Sequence, residues 1–359
     1  MSDLTLVLPI KDREFYSRRL LAYLDEIRCP YPIIIADGGA KDSRIQKLLE
    51  DDYYDNIKCE YLRCPYDEDV SNFYEKMAKA MLDVETPLSM VIDNDDFFTI
   101  NGIDYCIEFL RKNNDFVSAR GAMTGVHIYG DKGIEEREDM YTEFPDPIIG
   151  DTAQERINKQ ATHFHGNWHN VVRTEALQLN WSLMWYFSPE NLRFCEQIIG
   201  FLNVVWGDGL RDNSFCHIVH QHQTPRVIKS HREFHFPPDQ NEWINQKGWS
   251  RDFGAMTDAI AFAISACDGI DFEDSREEFR KSYTEMYIPR VSDKDFLISR
   301  IDESKKYCSD ERIENFANIT RSINPFEMGN IETKIIPQDI HRACEDEMSS
   351  LQNFLRTMS

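Results

Sequence analysis

Three carboxylates fall within four residues at Asp93-Asn94-Asp95-Asp96, directly after the apolar run Leu88-Ser89-Met90-Val91-Ile92 and directly before Phe97-Phe98. A buried strand whose C-terminal end opens into a ligand site has this pattern. With apolar residues on both sides, the repulsion between the acids must be relieved by a cation, by hydrogen bonds or by splaying into solvent. Hard divalent ions such as Mg2+ or Mn2+ take oxygen ligands and bridge one or two carboxylates to substrate phosphates. The plainer alternative is a solvated Asp-Asn turn that caps a helix beginning near Phe97. Asp37 ends another apolar run and precedes Gly38-Gly39, and Asp208 stands in Trp206-Gly207-Asp208-Gly209 with Asp212 four residues on. Eight of the ten histidines lie between His163 and His235, a density that invites metal or acceptor-site roles and equally fits buried packing.

The elements that must position these groups are legible in the spacing. Leu4 to Ile10 is a compact apolar strand, and Tyr16, Leu20, Leu24 and Ile27 recur at helical spacing over about Asp12 to Arg28. Pro32 to Ala36 makes a second strand of the kind covered on both faces. Strand, helix, strand is one right-handed parallel crossover. A short helix over Ser43 to Leu49, a strand over Ile57 to Leu62 and a helix over Val70 to Asp83 lead to the acidic strand. The pattern predicts an open parallel sheet, with Asp37 and Asp93 to Asp96 at carboxyl ends where ligands bind.

Further on, residues 131 to 160 read as a long mobile insertion, and His163 to Leu177 as a strand running into a helix. His163 and His165 would alternate on one strand face, and with His169 could line an acceptor site or simply pack. Asp208 is expected to open a helix running to about His222, and Val227 to Phe236 a closing strand that carries His231 and His235. Lys76 and Lys79 are expected on a solvated helix face; Trp181, Trp185 and Tyr186 could stack on a sugar ring or belong to the core. After Pro238 the pattern turns helical. The expected organisation is residues 1–238 as a sheet domain, with 1–96 binding nucleotide and 97–238 on the acceptor side, followed by 239–359 as a helical extension.

Composition narrows the function classes. A net charge of -23 and a pI near 4.8 argue against nucleic acid or an anionic membrane surface as the main partner. The 42% apolar and 12% aromatic content is that of a globular chain. The nine cysteines are odd in number, scattered and without a CxxC pair, and are expected as free thiols. No run approaches the ~18 apolar residues of a transmembrane helix, and Met1-Ser2-Asp3 leads straight into a strand. A soluble, cytoplasmic protein is expected, compatible with a peripheral place at the inner membrane face and with a homo-oligomer.

The opening Leu4 to Arg13, the strand Ile33 to Asp37 with Gly38-Gly39, the acids Asp93 to Asp96, and Asp208 about 110 residues later resemble, in order and spacing over roughly residues 4 to 236, the GT-A fold glycosyltransferases of the large family-2 type. The resemblance implies an α/β, Rossmann-like, mostly parallel sheet flanked by helices. It implies that Asp37 contacts the nucleotide base, that the turn from Pro9 to Arg13 lies beside the nucleotide, and that Asp93 and Asp95 form a D-x-D motif holding ribose and a divalent metal, Mn2+ or Mg2+, on the donor diphosphate. A late histidine, His231 or His235, would join the metal. Asp208 would be the general base of an inverting transfer from a nucleotide-sugar to a glycan, lipid-linked or polysaccharide acceptor, with Asp212 as its rival; the family shows an acid pair where this chain has Gly207-Asp208. Two other classes remain open: a metal-dependent hydrolase using His217, His220 and His222 with Asp208, and a non-catalytic sugar-nucleotide-binding protein.

Overall fold

A computed structural model of the protein describes residues 2–41, 43–129, 133–140, 146–164, 166–221, 243–287, 294–320 and 338–358. The first half builds a parallel unit: β1 (Leu4–Ile10), α1 (Glu14–Glu26), β2 (Ile33–Asp37), α2 (Arg44–Glu50), β3 (Cys59–Arg63), α3 (Val70–Leu82) and β4 (Leu88–Val91). β1 pairs in parallel with β2 and β4, and β2 with β3. β2 is buried along its whole length, as a β-branched run covered on both faces should be.

The second half is mixed in direction. β5 (Phe97–Phe98), α4 (Ile100–Lys112), β6 (Phe116–Tyr129), β7 (Gly133–Met140), α5 (Ala153–Thr162), β8 (Val171–Arg173), α6 (Thr174–Phe187), α7 (Leu192–Val205) and β9 (Asp208–Gln221) complete one nine-stranded sheet. Its order is β3-β2-β1-β4-β8-β6-β9-β5, with β7 hairpinned onto β6. β8 is antiparallel to both β4 and β6, so β6, and β9 parallel to it, run in the same direction as β4.

Two expectations fail here for physical reasons. Residues 133–140 and 153–162 of the supposed insertion are a strand and a helix: Thr152 caps α5 by accepting from the Glu155 amide (3.1 Å), and Arg156 and Ala161 bury against α7 and the core. The segment after Gly207 is a 14-residue strand and not a helix. Its alternating Phe215, His217 and Val219 prefer a pleated, half-buried surface, and β6 supplies a long parallel partner. The expected strand from Val227 to Phe236 lies outside the described residues.

The later helices are α8 (Trp249–Asp268), α9 (Phe272–Tyr287), α10 (Lys294–Asp302), α11 (Asp310–Thr320) and α12 (Ile340–Thr357). α8 and α9 join the core on the sheet face that also holds α3, α5, α6 and α7. α12 instead packs on the opposite face: Cys344, Met348, Leu351 and Leu355, one stripe of an amphipathic helix, bury beside α1 and α4. All nine cysteines are free thiols. No single helix among the described residues is long and apolar enough to cross a membrane.

Acids on α8 tie this layer to the sheet domain. Asp252 accepts from the amides of Glu190 (3.2 Å) and Asn191 (3.0 Å) at the start of α7, and Asp268 from those of Ala153 (2.7 Å) and Gln154 (3.1 Å) at the start of α5. Orphan amides of a helix N-terminus favour such a carboxylate. Asp252→Ala is therefore expected to cost about 1–3 kcal/mol, read as a lower urea midpoint at unchanged m-value. An unchanged midpoint would remove Asp252 as a cap.

Candidate active site

β4 ends at Val91, and the chain turns sharply through Asp93 to Asp96 before β5. Each acid finds a different neighbour. Asp96 is buried and holds three segments together: His169 Nε2 lies 3.1 Å from Oδ2, His220 Nδ1 3.1 Å from Oδ1, and the Gln221 amide donates to Oδ1 (3.0 Å). Burial alone would raise this carboxyl, but the hydrogen bonds and charge of the two histidines outweigh it and hold Asp96 well below the usual carboxylate range. His169 Nδ1 faces the Val91 carbonyl (2.9 Å) while Nε2 faces Asp96. With an acceptor at each nitrogen the ring keeps both protons. Burial opposes that charge, yet Asp96 and Asp93 carry the His169 pKa up to about 9.

Asp93 is half-buried, with 41% of its side chain open to water. Trp168 Nε1 donates to its Oδ1 (3.3 Å), and burial, partly offset by His169, pushes the carboxyl up to about 6. Asp95 turns the other way and accepts from Arg13 Nη2 (2.7 Å). Asn94 is buried and donates to the Ser17 hydroxyl (3.0 Å).

Arg13 leads to a cavity of about 180 Å³ lined by Ile10, Asp12, Arg13, Ser17, Asp37 and Gly39 among others. Asp37 at the end of β2 accepts from the Gly39 amide (2.7 Å) and the Tyr61 hydroxyl (2.6 Å), with Arg63 Nη1 at 3.4 Å. A Cβ on Gly39 would meet the Asp12 amide at 2.9 Å and Asp37 Oδ1 at 3.0 Å, so the tight turn needs glycine. Pro9, in register with Ala36, is the next-to-last residue of β1, beside this turn. The structure thus gathers Pro9, Arg13, Asp37, Asp93 and Asp95 at one edge of the sheet.

Asp208 is not among them. It begins β9 opposite Phe116, the first residue of β6, and its Oδ1 accepts from the Gly150 amide (3.1 Å). The other end of that strand, Gln221, is the one bonded to Asp96; counted along β6 from Phe116 to Val126, the two ends are roughly 30 Å apart. The strand that replaced the expected helix carries Asp208 to the opposite edge of the sheet. Asp212, midway along, accepts from the Tyr105 hydroxyl (3.3 Å) and the Ser214 amide (2.9 Å).

The remaining candidates separate clearly. His169 and His220 reach the acids. His217 is fully buried, takes the Gly121 amide on Nδ1 (3.3 Å), and is pushed down to about 3 by burial and then by the charges of His169 and Arg120. His217 and His220, expected on a hydrolase helix, therefore lie on a strand, with Asp208 at its far end. His163 follows α5 in a turn and not in a strand; His165, His222, His231 and His235 lie outside the described residues. Lys76, expected in solvent, is buried, pairs with Asp67 and donates to the Ile10 carbonyl (3.2 Å), while Lys79 keeps a surface pair with Glu75. Trp181 is core and meets Trp168 edge-on at 5.5 Å; Trp185 is exposed, and Tyr186 packs on Phe316.

One group escaped the sequence reading. Glu196 on α7 shares a helix face with Gly200 and Asn203, one and two turns on. That face sits on the loop before β8: Asn167 Nδ2 donates to the Gly200 carbonyl (3.1 Å), and Asn203 Nδ2 to the Asn167 carbonyl (2.9 Å). The charges of Asp93, His220 and His169 all reach Glu196, which begins this face. Glu196 is exposed at the surface, yet the surrounding protein, then the charge of Asp93, push its carboxyl up to about 7 against Arg193, His220 and His169. An acid within the apolar run Phe194-Cys195-Glu196-Gln197-Ile198-Ile199 was the available signal.

Asp93, Asp96 and His169 offer ligand atoms within 4.8 Å of one another. Two carboxylate oxygens and an imidazole nitrogen suit a divalent ion such as Mn2+, on condition that His169 gives up its Nε2 proton. Asp96, and not Asp95, is the carboxylate that joins Asp93 in this set.

No family model matches the chain, and no curated protein matches it in sequence. By structure it aligns with TarS of S. aureus at a TM-score of 0.50 and 13% identity, covering 99% of this chain and 55% of that one. The chain has the GT-A fold. Crystal structures of TarS 1–349, alone and with UDP-GlcNAc, align at TM-scores of 0.46 and 0.49, each at 13% identity over 99% of this chain and 87% and 88% of theirs. In this GT-A sheet the acids occupy the carboxyl ends of β2 and β4, the edge at which open α/β sheets bind ligands.

Proposed function

We propose that the protein is an inverting, metal-dependent hexosyltransferase that moves a sugar from a nucleotide-sugar to a glycan, lipid-linked or polysaccharide acceptor. The observation that carries the reading is the cluster of Asp93, Asp96 and His169 at the end of β4, at the same sheet edge as the Asp37 and Arg13 cavity, with the charge of Asp93 bearing on Glu196. Asp37 takes the nucleotide base and Arg13 the diphosphate, leaving Asp95 as Arg13's resting partner. Asp93, Asp96 and His169 would hold a divalent ion, which neutralises charge growing on the diphosphate as the glycosidic bond breaks. Glu196 takes the role first assigned to Asp208. As the acceptor oxygen attacks the anomeric carbon from the face opposite the diphosphate, its proton passes to Glu196 and the bonding pair leaves with the nucleoside diphosphate.

A thermal-shift panel of UDP-, GDP-, dTDP- and CMP-sugars, with and without Mn2+, tests donor binding, and the TarS complexes make the uridine series the first to try. One base is expected to raise Tm in a metal-dependent way, and Asp37→Ala to remove that rise, because a ligand bound only by the native state stabilises it. No response to any nucleotide would end the glycosyltransferase reading; a response untouched by Asp37→Ala would move the base elsewhere.

A further inference from the structure

Helix α12 meets the chain just after the acids. α4 begins at Ile100, and Thr99 stands at its N-cap position without a side-chain bond to a helix amide. The Thr99 hydroxyl is turned to β9 instead, where it donates to the Cys216 carbonyl (2.6 Å). The cap comes from 246 residues along the chain: Glu347 Oε1 on α12 accepts from the Asn101 amide (3.0 Å). The Asn101 side-chain amide donates to the same oxygen, and the Ile100 amide bonds the carboxyl as well. A carboxylate there satisfies orphan amides and suits the positive end of the helix. Cys344, about one turn earlier on α12, lies with its Sγ 3.6 Å from the Thr99 hydroxyl. α12 thereby takes hold of Thr99, Ile100 and Asn101 in succession.

Only Phe97 and Phe98 separate this grip from Asp96. Both are buried and paired with Val219 and Ile218 of β9. The Phe98 ring meets the His169 ring edge-on at 5.3 Å, and the Phe98 carbonyl accepts from the Tyr23 hydroxyl (3.2 Å). Tyr23 packs edge-on against Phe97 (5.2 Å) and also meets Phe354 of α12 (5.5 Å). α12 therefore reaches β5 by two routes, through the start of α4 and through Tyr23. A close-packed interior transmits a displacement along such contacts. Other anchors seat the helix independently of this end: Glu345 pairs with Arg137 on β7 (2.7 Å), and Gln352 Nε2 donates to the Ile134 carbonyl (3.1 Å).

We propose that α12 is a positioning element for the acid cluster and Glu347 its positioning residue: by capping α4 it fixes the place of β5, and with it Asp96 and the His169 ring. That the cluster holds a divalent ion rests on the glycosyltransferase reading; that α12 sets its place does not. Burial pushes the Glu347 carboxyl up to about 7 against the Asn101 and Ile100 amides, so an uncharged oxygen acceptor can stand in for the carboxylate.

The test compares the wild type with Glu347→Ala, which removes the cap, and Glu347→Gln, which keeps an oxygen for the Asn101 amide. Two quantities are read: Mn2+ affinity, from the electron paramagnetic resonance signal of free Mn2+, and amide hydrogen exchange along the chain. Glu347→Ala is expected to weaken Mn2+ by about 10-fold or more, the usual cost of losing a group that orients metal ligands. It should also speed exchange from Asn101 back to Asp96, while β1, β2 and α2 around the Asp37 cavity keep wild-type rates. Glu347→Gln should restore both quantities. Unchanged Mn2+ affinity in Glu347→Ala, or acceleration confined to α12 and α4, would make Glu347 a local cap and overturn the proposal. If the wild type itself binds no Mn2+, the metal reading fails separately and exchange decides: acceleration across Asp96 to Phe98 sustains the positioning role, and its absence ends it. Should Glu347→Ala not fold, Phe354→Leu, which loosens the same helix at Tyr23, is read in the same way.

Discussion

Glu196→Gln is expected to lower sugar transfer by about 100-fold or more while leaving nucleotide-sugar affinity within a few-fold of the wild type, the signature of a lost general base. The amide keeps the size of the side chain and cannot take a proton. Because the surrounding protein and Asp93 push this carboxyl up to about 7, the pH profile supplies a second readout. A base works only when ionised, so wild-type kcat should rise about tenfold per unit as pH climbs toward 7 and level off above it. The variant should lose that limb. Retained transfer at pH 8 would place the base elsewhere, and equal loss of transfer and affinity would make Glu196 a positioning group for Asp93. The same experiment on Asp208→Asn should leave both quantities unchanged, since Asp208 lies at the opposite edge of the sheet.

That contrast shows where sequence reasoning reached and where it stopped. Continuous β-branched runs such as Ile33-Ile34-Ile35, and helical stripes such as Phe73, Met77 and Met81, report burial directly, so the parallel half and the carboxyl-end position of Asp37 and Asp93 to Asp96 were legible. From residue 97 on, the determinants are long-range. β9 is a strand because β6 lies beside it, and the chain from Gly209 to Gln221 gives only a weak alternation, interrupted where Gly121 and Ala122 pair with Asp212 and Cys216. The assignment of Asp208 followed from a position in a motif, whereas the proximity of Glu196 to the charge of Asp93 arises only from tertiary packing of α7. His169 is similar. Its pairing with Asp96 joins residues 73 apart in sequence, and nothing local distinguishes it from His163. Lys76 was read as solvated because lysines usually are; burial became tolerable only through Asp67.

Asp96→Asn is expected to be the most destabilising single change at the site, by about 3–5 kcal/mol, because it leaves His169 and His220 around a group that can no longer balance their charge. The substitution keeps one carbonyl oxygen for the Gln221 amide, yet its amide nitrogen would face an imidazole N–H, so the end of β4, the loop before β8 and the end of β9 lose their common tie. The pH dependence follows from the signs. His169 is raised to about 9 in the folded chain from an unfolded value near ~6.5, so its contribution is complete below ~6.5 and is lost as pH rises through about 9. Asp96 is depressed, so its contribution is complete above the ordinary carboxylate pKa and lost only in strong acid. Wild-type stability from urea unfolding should therefore fall between pH 7 and 9, and the Asn variant, already without the pair, should lose most of that slope. His169→Gln should flatten the same alkaline limb at smaller cost, because it removes the cation and leaves Asp96 with His220 and the Gln221 amide. An Asn variant within about 1 kcal/mol of the wild type, with an unchanged alkaline slope, would show that the Asp96 cluster does not hold these segments together.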